Sequence, residues 1–256
     1  MTLRSLARRL GPIALILLAS CGGPPPVETE SPAPPVAAGD VVEHPVREGE
    51  TLSRIADLYY GDPGRAADIA AANGVAVDSQ LAPGSVVHLR FGDAEMAAAR
   101  VREAALLPYN RGVAALDQGD LTEAERQFRL ARRTDPGLLV ADYNLALVLI
   151  KRGRHEDAVA LLTPLVAARP SEADYGFALG NALFYQTRYP EAAAAFAAVL
   201  AVHPDHRRAA FGYARSLQEA GERDAALAAW SSYLQLDPSS PWADEARRLR
   251  RALQDG

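Results

Sequence analysis

Residues 119–136 read GDLTEAERQFRLARRTDP, and the spacing of four residues in it recurs down the chain. Pro136 is followed by Pro170, Pro204 and Pro238, a constant interval of 34. Ala124 is followed at the same interval by Ala158, Ala192 and Ala226. Four residues after each alanine stand Phe128, Leu162, Phe196 and Trp230. Gly119, Gly153 and Gly221 mark a turn before each alanine, with Thr187 in that place in the third copy. Each residue type has a mechanical reason. An alanine lets two antiparallel helices approach, and a bulky side chain one turn later fills the space between them. A proline cannot continue a helix and starts the connection to the next pair.

A 34-residue period with Ala-x-x-x-bulky and a late proline resembles the tetratricopeptide repeat. The resemblance implies an all-α superhelical solenoid of four helix pairs over 105–240, in repeats beginning at 105, 139, 173 and 207. Upstream, 93–106 is expected to form a connecting helix covering the first pair. Downstream, 241–256 is expected to form a capping helix, with Ser240 as N-cap, Pro241 in its first turn, Asp244 and Glu245 early and arginines late, an order that suits the helix dipole. An array of this kind needs such a solvating end.

In tetratricopeptide arrays the fifth position of each repeat lines the concave surface. Here it holds Tyr109, Tyr143, Phe177 and Phe211, an aromatic ladder suited to peptide docking. The ninth position runs from Val113 and Leu147 to Asn181 and Arg215, so the groove is expected to become polar along its length. Asn181, Tyr185 and Arg215 are expected to hydrogen-bond a partner's backbone or carboxylate. The basic pair that clamps a terminal carboxylate in some arrays has no counterpart in the first two repeats.

Residues 43–91 have a different character. An extended run around Val46 meets a Gly49-Glu50 turn, and Thr51 can cap a helix with Leu52, Ile55, Ala56 and Tyr59 on one face. Gly61-Asp62-Pro63-Gly64 breaks it. A second helix runs from about Arg65 to Asn73-Gly74, and Pro83-Gly84 turns the chain into a strand over 85–89. The order strand, helix, helix, strand, with Val46, Gly49-Glu50-Thr51-Leu52, Ile55-Ala56, Tyr60-Gly61, Ile69, Asn73 and Leu81-x-Pro83-Gly84, resembles a LysM domain. The resemblance implies binding of N-acetylglucosamine-containing glycan such as peptidoglycan, with Gly49, Glu50, Thr51, Leu52, Asn73, Leu81, Pro83 and Gly84 at the groove. Leu52 and Leu81 are expected to meet acetyl methyls. His44 stands where the family often has an aromatic, Glu50 where Asp is usual, and the YYGDPGR connection is longer than the commonest form.

At the N-terminus, Arg4, Arg8 and Arg9 precede an apolar run over 10–19, too short for the roughly 20 residues that span a bilayer. Leu18-Ala19-Ser20-Cys21 resembles the bacterial lipobox, and Cys21 is the only cysteine. The resemblance implies a signal peptide at 1–20, cleavage before Cys21 and acylation there, which anchors the chain to the membrane. Gly22 in place of an Asp then implies the outer membrane of a bacterial cell envelope, facing the periplasm. Residues 21–42 hold six prolines and no aromatic, and are expected to be an extended, disordered linker.

A single cysteine excludes an intramolecular disulfide and a thiolate metal cluster. The formal charge is −5 although residues 1–20 carry three arginines and no acid, so the body of the chain is acidic and is expected to bind no nucleic acid. H-E-x-x-H, Walker A, G-x-S-x-G and G-x-G-x-x-G patterns are absent. His203 and His206 flank Pro204 in a repeat turn and are expected to be exposed there; no metal or cofactor is expected. The arginines at 247, 248, 250 and 251 read as a solvated helix face. The expected function is a membrane-anchored, non-enzymatic adaptor that binds peptidoglycan and recruits a protein. The alternatives are a wall-degrading enzyme with unrecognised carboxylates and an assembly factor for a secretion or pilus machine with a vestigial LysM domain.

Overall fold

The computed structural model describes residues 41–46 and 48–255. The expected signal peptide, the lipidated Cys21 and nearly all of the proline-rich linker lie outside them. The chain divides into two compact units, one ending at Val148 and the other starting at Leu149.

The first unit opens with strand β1 (Val41–Pro45), helix α1 (Leu52–Tyr60), a 3-10 turn (Pro63–Arg65), helix α2 (Ala66–Asn73) and strand β2 (Val86–Arg90). The strands pair antiparallel from Val41↔Arg90 to Pro45↔Val86. Alternation decides the faces: Val42, His44, Val87 and Leu89 are buried while their neighbours are exposed. Helix α1 starts where the Thr51 side chain accepts from Arg54 N and buries Leu52, Ile55, Ala56 and Tyr59, the i, i+3, i+4, i+7 face. Ile69 and Ala70 of α2 complete this core with Val46 and Phe91.

Helix α3 (Asp93–Asp117) follows, then α4 (Leu121–Thr134) and α5 (Leu139–Lys151), the last straddling the division. Where the sequence suggests a connecting helix and then a first repeat helix, the structure has a single helix of 25 residues. Pro108 lies inside it. A proline there removes one i→i−4 bond and crowds the carbonyl of Ala104, and the burial of Ala105 and Tyr109 on either side of it holds the helix together through that cost. Helix α4 is capped by Asp120, whose Oδ1 accepts from Thr122 N (3.2 Å) and Glu123 N (3.0 Å).

The second unit contains α6 (His155–Ala168), α7 (Ala173–Tyr185), α8 (Tyr189–Val202), α9 (Arg207–Glu219), α10 (Arg223–Leu236) and α11 (Pro241–Asp255). The second helices of the pairs start at 121, 155, 189 and 223, keeping the period, and α11 starts 34 residues after α9. Ala124, Ala158, Ala192 and Ala226 are fully buried, and so in effect are Phe128, Leu162, Phe196 and Trp230. The pair-closing mechanics read from the sequence therefore operate in every repeat.

One packing device was not read from the sequence. Helix glycines sit beneath the bulky residue: a Cβ on Gly112 would lie 2.7 Å from Phe128, and a Cβ on Gly180 or Gly212 would lie 2.6 or 2.7 Å from Phe196. The ring of Phe196 thus packs on bare backbone from both α7 and α9.

Candidate functional site

Two regions carry the expected site residues. In the βααβ unit, the segment before α1 and the segment before β2 are tied together. Val46 N donates to Ser85 O and Gly84 N donates to Val46 O, both at 2.8 Å. Gly49 (φ 76°) and Gly84 (φ 83°) turn the two segments in the left-handed region, and open space lies where a side chain would stand on either. The hydrogen bonds bring Val46 beside Gly84 and Ser85, and Gly49, Glu50 and Thr51 follow in the same segment as Val46, so these three with Pro83 and Gly84 form the candidate rim. Thr51 and Pro83 are exposed, and Leu81 is half-buried against the core.

Leu52 and Asn73 do not belong to that rim. Leu52 is 0% exposed, so its side chain packs the core and offers no methyl contact to a sugar. Asn73 spends its amide on the fold. Its Nδ2 donates to Ile69 O and His88 O, and its Oδ1 accepts from His88 N, all at 2.8 Å. One side chain thereby imitates the missing neighbour of β2 and closes that sheet edge. The large aliphatic side chains that the segment 74–85 presents to solvent are Val75 and Val77, which the sequence reading passed over. The available signal was two valines in a stretch otherwise rich in Gly, Asp, Ser and Pro.

Glu50 is held from below. Its Oε2 lies 2.9 Å from Nε2 of His44, which is 2% exposed, and Nδ1 of that ring faces the Tyr59 hydroxyl at 3.3 Å. His44 also meets the Tyr59 ring edge-on, with centroids 5.5 Å apart. A histidine at this position keeps the aromatic packing and adds a polar attachment for the loop.

In the repeats, the fifth-position ladder is mostly core. Tyr109 (4% exposed), Phe177 (6%) and Phe211 (2%) turn towards the second helix of their own pair. Their centroid distances are 5.8 Å to Phe128, 5.8 Å to Phe196 and 4.9 Å to Trp230. The physical reason is the close helix approach set by the alanine and glycine positions: a large ring there finds a hydrophobic partner before it finds solvent. Tyr109 also accepts from Asn144 Nδ2 at 3.1 Å. Only Tyr143 of the four is half-buried. These three rings are therefore corrected from groove contacts to packing residues.

The polar candidates differ among themselves. Asn181 is 3% exposed, and its Nδ2 has no hydrogen-bond acceptor. Tyr185, one turn further on the same face of α7, is half-buried and stacks on His155 with centroids 4.9 Å apart. Burial pushes the Tyr185 phenol above its ordinary pKa and the His155 imidazole below its own, so both are neutral at pH 7. Arg215 is paired with Glu219 at 2.6 Å. Asn181 is therefore corrected with the three rings, because it lies inside the array, and the polar candidates that reach solvent are Tyr185 and the compensated cation Arg215.

The turn histidines are corrected too: both are half-buried and carry structural bonds. His203 Nε2 meets Ser171 O at 2.8 Å, and His206 Nδ1 accepts from Ala209 N at 3.0 Å as the cap of α9. Among the described residues no group of three His, Cys, Asp or Glu could hold a metal ion. An open cleft of about 620 Å³ is lined by Asp205, His206, Arg207, Arg208, Gln235 and Leu236, a set without a nucleophile–base pair. Among the described residues, no helix is long and apolar enough to cross a membrane.

Comparison with known proteins places these regions. A LysM domain model matches residues 44–90. One tetratricopeptide repeat model matches 87–138 and 177–241, and a second matches 115–179. No curated protein matches the sequence significantly. Among solved structures, MamA residues 41 to the end from Desulfovibrio magneticus RS-1 is similar, at 19% identity and TM-score 0.52, over 59% of this chain and 93% of that one. A structure titled "MamA RS-1 ArsTM double mutant" is similar at 20% identity and TM-score 0.52, over 59% and 94%. A crystal structure of MamA protein gives 21% and 0.52, over 60% and 87%. At these identities the likeness concerns the fold.

Proposed function

This chain carries a LysM domain followed by tetratricopeptide repeats, and on that premise we propose a lipid-anchored, non-enzymatic adaptor of the bacterial cell envelope that holds peptidoglycan with the first module and a protein with the second. The observation that carries the proposal is the domain order itself: a glycan-binding family at 44–90 and protein-binding repeats from there to 241. In this reading the rim at Gly49–Thr51 and Pro83–Gly84 meets the sugar, with Val75 and Val77 supplying apolar contact for acetyl methyls. On the second unit Tyr185 and Arg215 meet the protein, and Tyr143 is the candidate contact of the first unit. Acylation of Cys21 supplies the anchor and holds a single, weak glycan site at high effective concentration near the wall. The outer membrane is the expected location.

The test uses the full mature chain and purified sacculi. The chain should pellet with sacculi and release no muropeptides. Failure to pellet removes the wall from the function, and released muropeptides make the chain an enzyme. Metabolic labelling with a fatty acid should mark the natural chain and not Cys21→Ser; equal labelling of both would discard the anchor.

A further inference from the structure

We infer that the LysM domain and the first repeat are one mechanical body built on α3, so that engaging glycan sets the direction in which the first repeat is held. The consequence rests on the proposed wall binding; the coupling itself rests on contacts within the unit that ends at Val148.

Three observations carry it. First, the core of the βααβ unit extends into α3: Ala99, 3% exposed, is one of its members, and Met96 packs against it. Second, Arg102 joins three elements. Its Nη1 donates to Leu58 O of α1 at 2.6 Å, and its guanidinium is ion-paired with Asp135, the residue that ends α4. The side chains of that pair are only 11% and 10% exposed, and Asp135 Oδ1 also accepts from Gly137 N at 2.8 Å. A nearly buried ion pair whose two partners are each held by a further hydrogen bond favours one geometry over its neighbours. Arg65–Glu95, at 3.0 Å, adds a second link on the surface. Third, α3 continues from Ala99 to Asp117 without a break and packs Gly112 under Phe128. Modules within a chain ordinarily move against one another across a flexible linker. Here the same helix completes one core and begins the next, so no hinge separates the glycan rim from α4. A protein held by the first repeat would then face the wall in a fixed attitude.

The test is a distance distribution between spin labels at Ala71→Cys in α2 and Arg133→Cys in α4, in the full mature chain with Cys21→Ser. A single narrow peak is expected, and it should not move when an N-acetylglucosamine oligomer is added. Arg102→Ala is expected to broaden the peak at least twofold. Asp135→Asn, which keeps the side-chain shape, should broaden it less, and circular dichroism of both variants reports folding. A broad or multiple peak in the parent chain overturns the inference, as does an unchanged width in both folded variants. If Arg102→Ala does not fold, the Asp135→Asn width decides. A narrow peak in a chain that fails to pellet with sacculi would keep the coupling and discard the wall, so the two failures are separable.

Discussion

The ring of Phe196 stands where a side chain on Gly180 would have to go: a Cβ at that position would lie 2.6 Å from the ring. Gly180 faces solvent nowhere, being part of the buried face of α7. Its lack of a side chain is what lets the third helix pair close.

Gly180→Ala therefore should destabilise the array even though alanine favours helix by about 1 kcal/mol. Overpacking a filled core costs about 1–3 kcal/mol, and the ring is pinned on its other side by Gly212. Urea unfolding followed by the fluorescence of Trp230 and Trp242 should show a lower midpoint; an unchanged or raised midpoint would mean the ring can move aside.

Thr187 is the sole described non-glycine residue with positive φ, at 60°, in the turn where the other repeats have Gly119, Gly153 and Gly221. A β-branched residue is strained there. Thr187→Gly should stabilise by about 1 kcal/mol, whereas Thr187→Ala, which keeps a Cβ in the left-handed region, should not. Melting temperatures of the two variants check this.

His206 should make stability pH-dependent. Burial, the largest influence, holds its imidazole below the ordinary histidine value, and the neutral ring accepts from Ala209 N. A depressed folded value means the cap is present above about pH 6.5 and lost as pH falls through the folded value. His206→Asn, a cap that does not titrate, should shrink the loss between pH 7.5 and 5.5 by up to about 1 kcal/mol, measured by urea midpoints. His155, depressed by burial in the same direction, accounts for a remainder.

Asn73→Ala removes three hydrogen bonds and uncovers β2. At about 1 kcal/mol each, the first unit should lose about 2–3 kcal/mol. Amide exchange at His88 should accelerate more than at Leu89. Equal acceleration would mean that Asn73 does not cap the edge.

Phe211→Ala should act on folding first. The ring meets Trp230, Tyr233 and Trp242 at centroid distances of 4.9–5.4 Å. Emptying that site should cost about 3–5 kcal/mol. Tyr185→Ala, at a half-buried position, should cost much less, and on the proposed function it should weaken crosslinking to a protein partner. Equal stability losses would return Phe211 to the list of contact residues.

The chain's own period determined the array: alanine, bulky residue, turn and proline at intervals of 34 are local demands of packing two helices, and every repeat meets them. The strand–helix–helix–strand order before it was equally legible, because caps and turn residues act over a few neighbours. Tertiary structure alone decided which side chains remain for a ligand. Leu52, Asn73, Tyr109, Phe177 and Phe211 stand at positions where a family pattern places contacts, yet each is consumed by a neighbour distant in sequence. It also decided that α3 is one helix and that Arg102 joins α1 to the end of α4, 44 residues back and 33 residues on. Periodicity reports the face a residue occupies. Whether that face is already covered depends on what the rest of the chain brings against it.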